Sequence, residues 1–292
     1  MTKADRGTVA VLGAGGTMGL GMARNLARAG FDVRGWNRSR EKAEPLVEDG
    51  VTVVETPGRA AAGAGFIVTI LADADAVVAA MDGPEGGLGR ADPSTVWLQM
   101  STIGEAGTER CAELAGRPGI AFVDAPVVGT KQPAREGKLT VLASGPDGVR
   151  ERVQPIFDAI GQKTMWVGAA GQGTRLKLVT NNWILAVVEG AAETIALAEG
   201  LGVDPDLFFE AVDGGPLDLP YLRLKGRAIV ERDFEPSFSL SLAAKDARLV
   251  EEAAARRHLD LPLTRMIRER LDEGADEHGA EDVSATYWMS AP

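Results

Sequence analysis

Short apolar runs rich in β-branched residues recur through the first half of the chain, and stretches rich in Ala, Leu and Arg separate the earlier ones. The runs lie at residues 8–12, 32–36, 51–54, 66–71, 96–100, 122–128, 139–144 and 164–167. Such runs predict strands, and the stretches between them predict helices. Alternation of strand and helix favours βαβ units, in which consecutive strands are parallel. The first half is therefore predicted to form an α/β domain with a mostly parallel sheet.

Two short signals indicate where helices of this half begin. Thr56-Pro57 is typical of a helix start, with Thr as the N-cap and Pro in the first turn. Thr102 and Glu105 have the spacing of a capping box and directly follow the fifth predicted strand. Both signals place a helix immediately after a strand or a turn.

The second half lacks the alternating pattern and is predicted to be helical. One long pattern covers residues 173–201, and it is apolar around much of its circumference. One apolar stripe of this pattern consists of Leu176, Val179, Trp183, Val187, Ala191 and Ile195. A helix of that kind is predicted to be a buried central element.

Further helices are predicted after the long one. They start at Asp204-Pro205 and end before Gly214, then cover residues 220–230, 240–256 and 263–273. The simplest division is an α/β nucleotide-binding domain at residues 1–168 and an all-helical domain at residues 169–292.

Composition and charge exclude several classes of protein. The 292 residues carry 42 acidic and 31 basic side chains, giving a net charge of −11. A general basic surface for nucleic acid or for an anionic membrane is therefore not expected. With a single cysteine, Cys111, and two histidines, His258 and His278, neither a disulfide nor a cysteine or three-histidine metal site is expected. The start shows no secretory signal and no apolar run approaches a membrane span, so we expect a cytoplasmic protein.

A glycine-rich segment joins the first predicted strand to the first predicted helix. Glycines at such a turn let the backbone approach a dinucleotide pyrophosphate, and the free N–H groups of the helix start face its charge. The spacing is GxGxxxG, one residue longer than the usual pattern, and a tight turn without a ligand is the alternative. The candidate cofactor-binding residues are Gly13, Gly15, Thr17, Met18 and Gly19.

The second predicted strand ends in Asn37-Arg38-Ser39, where an NAD-binding protein would carry an acidic residue for the ribose hydroxyls. Arg38 can instead pair with a 2′-phosphate, and the side chains of Asn37 and Ser39 can donate to it. Lys42 follows one turn later. The segment therefore predicts NADP rather than NAD, unless Arg38 is only a solvated residue at a helix start.

Lys177 and Asn181 are four residues apart at the start of the long helix, so they share one face. A lysine whose pKa is lowered by burial can serve as general acid and base at a carbonyl group, with the asparagine beside it. The simpler alternative is a lysine of the first helical turn that reaches into water. Lys245-Asp246, in a later helix, is most simply interpreted as a surface ion pair.

Taken together, these segments resemble the β-hydroxyacid dehydrogenase family, which includes 3-hydroxyisobutyrate dehydrogenase and the glyoxylate/succinic semialdehyde reductases. The similar segments occur in the family order and cover nearly the whole chain. They comprise Gly13, Met18-Gly19, Met22-Ala23, Asn25-Leu26, Ser101-Thr102-Ile103, Asp124-Ala125-Pro126-Val127, Gly171-Gln172-Gly173, Lys177, Asn181, Lys245-Asp246 and residues 279–285.

The resemblance implies a Rossmann-type domain and a helical domain linked by the long helix. It implies Lys177 as the general acid and base, Asn181 as its partner at the substrate, and hydride exchange in a cleft between the domains. Leu71, Thr102 and Lys245 are expected on the cofactor side. It also implies NADP as cofactor, a small-molecule substrate, and a homodimer or homotetramer.

Two departures from the family pattern concern the substrate. Val128-Gly129-Thr130 stands where the family commonly has Ser-Gly-Gly around the substrate carboxylate, which allows a bulkier or less polar substrate. Thr180 stands where many members have the first Asn of a pair, although Asn181 keeps its offset from Lys177. Two alternatives stay open at this point: an imine reductase of similar architecture, and an NADP-binding relative without catalytic activity.

Overall fold

The computed structural model describes residues 6–117 and 119–291 of the chain. The described residues divide into two compact units, one ending at Lys177 and the other beginning at Leu178. The predicted division lies nine residues earlier, at residue 168.

The first unit is built around a six-stranded sheet whose strands are all parallel, in the order β3-β2-β1-β4-β5-β6. The strands are β1 (Thr8–Leu12), β2 (Asp32–Trp36), β3 (Thr52–Val53), β4 (Phe66–Thr69), β5 (Val96–Gln99) and β6 (Ala121–Asp124). The helices of this unit are α1 (Thr17–Arg28), α2 (Pro57–Ala61), α3 (Ala74–Met81), α4 (Gly87–Arg90), α5 (Gly104–Gly116), α6 (Lys131–Glu136) and α7 (Arg150–Ile160).

Both faces of this sheet are buried, as expected where crossover helices cover a parallel sheet. Alternation along β1 places Val9 and Val11 in one apolar cluster, and Ala10 and Leu12 in another. Cys111 of α5 is buried in the second cluster, where loss of solvation raises the pKa of its thiol to about 12. The doubly wound sheet confirms the predicted fold class.

A separate three-stranded sheet follows, formed by β7 (Val127–Val128), β8 (Leu139–Ala143) and β9 (Gly161–Trp166). Strand β8 is antiparallel to β7 and parallel to β9. The prediction of one strand over residues 122–128 was wrong, because the chain leaves the first sheet after Asp124 and joins the second at Val127. Pro126, which has no N–H to continue a ladder, lies at this change of sheet.

The second unit is helical. Its helices are α8 (Gln172–Gly200), whose first turns belong to the first unit, α9 (Pro205–Val212), α10 (Pro220–Glu231), α11 (Leu240–Ala255) and α12 (Pro262–His278). A 3-10 segment, Val283–Met289, closes the described chain. Within the described ranges, no helix is both long enough and apolar enough to cross a membrane.

The apolar stripe predicted to bury α8 packs only in part, since Ala191 and Ile195 are buried but its earlier members Val179 and Trp183 are not. Val179 is 67% exposed and Trp183 is 63% exposed, whereas Leu178, Leu185 and Val188 are buried. The helix is apolar around much of its circumference, so periodicity alone did not distinguish the packed side from the open side. The predicted burial of Val179 and Trp183 is therefore wrong.

Candidate functional site

The glycine turn after β1 is shaped by close backbone contacts. Gly13 has a φ of +98°, and a Cβ atom there would lie 2.1 Å from the carbonyl oxygen of Ile70. A Cβ atom on Gly19 would lie 2.0 Å from the carbonyl oxygen of Gly13. No side chain caps α1, and its first turn, which contains Thr17 and Met18, holds no acidic residue. The uncapped helix start and the glycine cradle fit a dinucleotide pyrophosphate.

The end of β2 packs directly against this turn. The backbone N–H groups of Gly13 and Ala14 donate to the Trp36 carbonyl at 2.8 and 3.0 Å. A Cβ atom on Gly15 would lie 2.8 Å from the backbone carbonyl carbon of Lys42 and 2.9 Å from the Cγ atom of Asn37, so only glycine fits at this contact. The Asn37 amide donates to the Ser39 carbonyl at 2.9 Å. The glycine turn predicted for the pyrophosphate and the segment predicted for the 2′-phosphate are therefore in direct contact.

Arg38 and Arg40 both follow β2, and they differ in their surroundings. Arg40 is held by Glu44, with Nε and Oε1 2.7 Å apart, and by Glu55. Arg38 is exposed and forms no ion pair with any residue that the structure describes. Arg38, unlike Arg40, therefore remains available for a phosphate.

Buried polar side chains organise the loops after β4 and β5, where Leu71 and Thr102 lie. The Leu71 N–H donates to the Ser101 hydroxyl at 2.8 Å. Gln99 is fully buried, and its side chain donates to the Ser101 carbonyl and accepts from the Ser101 N–H, both at 2.8 Å. The carboxyl ends of β1, β2, β4 and β5 thus carry the predicted cofactor residues of this unit, at the edge where parallel α/β sheets bind ligands.

The predicted capping box at Thr102 and Glu105 is wrong. Helix α5 begins at Gly104, with Ile103 in the cap position and no side-chain cap. Glu105 is buried and accepts from Arg175 of α8 at 2.7 Å, so its carboxylate serves a different helix. The N-cap at Thr56 is confirmed, since its hydroxyl accepts from the Arg59 N–H.

Lys177 lies in the second turn of α8 and Asn181 one turn further. Both are nearly buried, at 8% and 3% exposure. The alternative of a lysine that reaches into water does not hold, because the side chain is withdrawn from solvent. A cationic and an amide side chain, one turn apart on a mostly apolar helix, can serve proton transfer at a substrate oxygen.

Asn181 is oriented by a carboxylate of α11. Its Nδ2 atom donates to Oδ2 of Asp246 at 2.7 Å, and Asp246 is buried. The Lys245 ammonium lies 2.8 Å from Oδ1 of Asp246. Because a carboxylate only accepts, the amide oxygen of Asn181 must point away from Asp246. The interpretation of Lys245-Asp246 as a surface pair is therefore wrong.

The three predicted substrate residues form the link from β7 to α6. Gly129 has a φ of +131°, and a Cβ atom there would lie 2.7 Å from the side chain of Leu139. Thr130 precedes α6 without capping it. Val128 pairs with Thr140 of β8. The glycine is thus required by the turn, while the hydroxyl of Thr130 is not used as a helix cap.

Asp124, at the end of β6, is fully buried, and the sequence pattern assigned it no role of its own. Its carboxylate accepts from the N–H and the hydroxyl of Thr174 at 2.8 and 2.7 Å, and from the Ser144 hydroxyl at 3.1 Å. Burial raises the pKa of this carboxyl above its usual range, although these hydrogen bonds act in the opposite direction. An acidic residue at the end of a buried strand could have indicated such a polar cluster, because an unpartnered carboxylate there is costly.

The sheet order, the glycine turn and the uncapped start of α1 define the class of the protein: a dinucleotide-binding α/β protein with a helical second unit. Comparison with known proteins identifies the family. Residues 8–168 match the NAD-binding domain of 6-phosphogluconate dehydrogenase, and residues 171–289 match the NAD-binding domain of NADP-dependent 3-hydroxyisobutyrate dehydrogenase.

Similar proteins cover most of the chain. Glyoxylate/succinic semialdehyde reductase 2 of Arabidopsis thaliana is 31% identical over 249 residues, which are 85% of this chain and 70% of the relative. The 2-hydroxy-3-oxopropionate reductase of Escherichia coli is 31% identical over 267 residues, 91% of each chain. The Mycobacterium tuberculosis 3-hydroxyisobutyrate dehydrogenase, solved with L-serine, is 27% identical over 99% of both chains, with a TM-score of 0.86.

The chain therefore belongs to the β-hydroxyacid dehydrogenase family, as its motifs predicted. It is an oxidoreductase, an NAD(P)-binding dehydrogenase or reductase.

Proposed function

We propose that the protein transfers a hydride between NADPH and a small carbonyl or hydroxyacid-type substrate. The observation that carries this proposal is the burial of Lys177 and Asn181, one turn apart on α8. NADP, when bound, supplies or accepts the hydride. In the reductive direction Lys177 donates a proton to the alkoxide oxygen that develops on the substrate, and Asn181 holds that oxygen.

The preference for NADP is supported by the residues after β2. Arg38 is exposed and without an ion-pair partner among the described residues, while Asn37 and Ser39 add polar groups beside it. These side chains bind the 2′-phosphate in the proposal, and the glycine turn with the start of α1 binds the pyrophosphate. Leu71, Thr102 and Lys245 complete the cofactor contacts.

The substrate class is proposed from the link after β7 and from the relatives. The names of the Arabidopsis and Escherichia coli relatives specify reduction of small oxo acids and semialdehydes. In this chain Val128 replaces a small polar residue of the family pattern, and Thr130 supplies a hydroxyl two residues later. We therefore assign Val128, Gly129 and Thr130 to substrate contact. The part of the substrate near Val128 is less polar than in family members that have Ser-Gly-Gly at these positions.

The first experiment replaces the proposed acid and base. Lys177→Ala is expected to lower kcat by about 10²- to 10⁴-fold, the usual contribution of general acid–base catalysis, while the Kd for NADPH stays nearly unchanged. Steady-state NADPH oxidation and calorimetry measure the two quantities. Lys163→Ala, which removes an exposed lysine of β9, is the matched control. A Lys177→Ala variant that keeps kcat within a few-fold of wild type would contradict the assignment.

The choice of substrates in the same assay tests the two alternatives. Semialdehydes and 2-oxo acids are offered beside a cyclic imine, with NADPH in excess. Turnover of the imine alone would favour an imine reductase. Tight NADPH binding with no turnover of any substrate would favour a non-catalytic NADP-binding protein.

We also propose that the protein assembles into a homodimer or homotetramer. The supporting observation is a row of exposed side chains on α8: Val179 and Trp183 are followed by Leu197, which is 62% exposed and lies 18 residues, or five helical turns, after Val179. Apolar side chains of this size in one row favour contact with another protein surface.

A further inference from the structure

The first turn of α8 is held at three consecutive residues by side chains from three different elements. The Gly173 N–H donates to the hydroxyl of Ser144, just after β8, at 2.9 Å. Thr174 donates twice to Asp124, at the end of β6. Arg175 donates to Glu105 of α5. All of these contacts lie within the first unit.

These contacts differ from an ordinary helix N-cap in the number of groups they hold and in where the acceptor comes from. An ordinary N-cap satisfies one or two N–H groups and is provided by the residue that precedes the helix. Here the acceptor is a carboxylate 50 residues away in sequence, and its two oxygens bind the N–H and the hydroxyl of one residue. The Thr174 hydroxyl also lies 2.9 Å from that of Thr108, so its direction is fixed on a second side.

The packing around this turn leaves the helix no room to slide. A Cβ atom on Gly173 would lie 2.2 Å from the carbonyl oxygen of Leu142 and 3.0 Å from that of Asp124. Asp124, Ser144 and Thr174 are each buried, at 3% exposure or less. The backbone of α8 therefore touches the ends of β6 and β8 directly, and the buried carboxylate fixes its rotation there.

Lys177 lies three residues after Thr174, less than one helical turn further. We propose that Asp124, acting through Thr174, is a positioning residue for Lys177. It sets where the ammonium group lies relative to the strand ends that carry the cofactor residues. The inference rests on the proposed function, since it concerns the residue assigned there as acid and base. In this proposal the Asp-Ala-Pro-Val segment and the Gly-Gln-Gly segment both serve to position Lys177.

The test compares two substitutions of nearly the same shape. Thr174→Val keeps the volume but removes the hydroxyl, whereas Thr174→Ser keeps the hydroxyl. We expect Thr174→Val to lower kcat by about 10- to 100-fold, since a small displacement of a reacting group has effects of this size. Thr174→Ser should stay within about threefold of wild type. The KM and the Kd for NADPH should change by less than about threefold in both variants.

A double-mutant cycle with Lys177→Ala separates positioning from general destabilisation. If Thr174 acts through Lys177, Thr174→Val should change the residual rate of Lys177→Ala by less than about twofold. Equal fold losses in the two backgrounds would overturn the inference. Asp124→Asn should behave like Thr174→Val in the same cycle.

A matched control removes a carboxylate cap from a helix without a proposed catalytic residue. Asp204 caps α9 by accepting from the Asp206 N–H at 3.0 Å, and Asp204→Ala should lower the Tm without changing kcat. If Thr174→Val and Asp124→Asn likewise lower only the Tm, or if neither folds, the contact is structural and the inference fails. If Lys177→Ala itself keeps its activity, the proposed function fails first, which is a separate outcome.

Discussion

Arg38 differs from its neighbour Arg40 in having no ion-pair partner among the described residues. Arg40 is held by Glu44 and Glu55, so it contributes little net positive charge after β2. Arg38 is solvent-exposed, and no ion pair ties it to any residue in the described ranges. An unpaired guanidinium can bind a phosphate bidentately, and it loses no existing partner in doing so.

At this residue we expect a charge reversal to change cofactor choice. Arg38→Asp should raise the KM for NADPH by about 10-fold or more, since a charge-assisted pair is replaced by repulsion, while the KM for NADH changes little or falls. Steady-state kinetics with both cofactors measures the ratio. Arg59→Asp, on an exposed position of α2, controls for the change in net charge. An NADPH preference that survives Arg38→Asp would remove Arg38 from the cofactor site.

Single residues also show what the sequence could predict about the candidate site. The glycines of the turn and the Lys177 and Asn181 pair were recognisable because their types and spacing carry the chemistry. The hydrogen-bonding partners were not, since Asp124 reaches Thr174 across 50 residues and Asp246 reaches Asn181 across 65. Such contacts depend on how elements pack, and no local pattern encodes them.

At the scale of elements, one buried ion pair joins α10 to the segment after α12. The Lys225 ammonium lies 2.7 Å and 2.9 Å from the two carboxylate oxygens of Asp282, and both residues are buried. Asp282 also accepts from the N–H groups of Ser237 and Ser284. Burial alone would raise the pKa of Asp282, but Lys225 and these hydrogen bonds outweigh it and hold the pKa below its usual range.

This pair should make the stability of the protein depend on pH. A carboxyl whose pKa is lower in the folded state stabilises the fold above its unfolded pKa, near 4, and loses that contribution as the pH falls through the folded value. Asp282→Asn should lower the free energy of unfolding by about 3–5 kcal/mol at pH 7, because Lys225 is left buried without its partner. The difference from wild type should shrink between pH 5 and pH 3.

Urea unfolding of wild type and Asp282→Asn across that range gives the measurement. Lys225→Met combined with Asp282→Asn removes both charges and should recover part of the loss at pH 7. A difference between wild type and Asp282→Asn that stays constant from pH 7 to pH 3 would contradict this account.

Elements were predictable where their patterns were local. The bounds of β1 and β2 follow from their apolar runs, and α8 differs from its predicted span by one residue at each end. The errors came from tertiary contacts. Glu105 was expected to cap its own helix but is used by Arg175, and residues 122–128 divide between two sheets. Helix α12 also continues to His278, beyond its predicted end at residue 273.

At the scale of the whole molecule, the exposed row on α8 gives a prediction about assembly. Light scattering after size exclusion should give the mass of a dimer or tetramer at micromolar concentration. Leu197→Glu should shift that mass towards the monomer, because a charge would then be buried in an apolar contact. Val47→Glu makes the same change at a position of similar exposure in the first unit and should leave the mass unchanged. A monomeric wild type, or an equal shift in both variants, would contradict the proposal.

The single thiol of the chain matters for experiments that attach labels through cysteine. Cys111 is fully buried, and its pKa of about 12 keeps it protonated under ordinary conditions, so maleimides and similar reagents will react with it slowly. A fluorophore or spin label attached through a cysteine introduced on the surface would therefore report from one chosen position, with the native sulfur left in place.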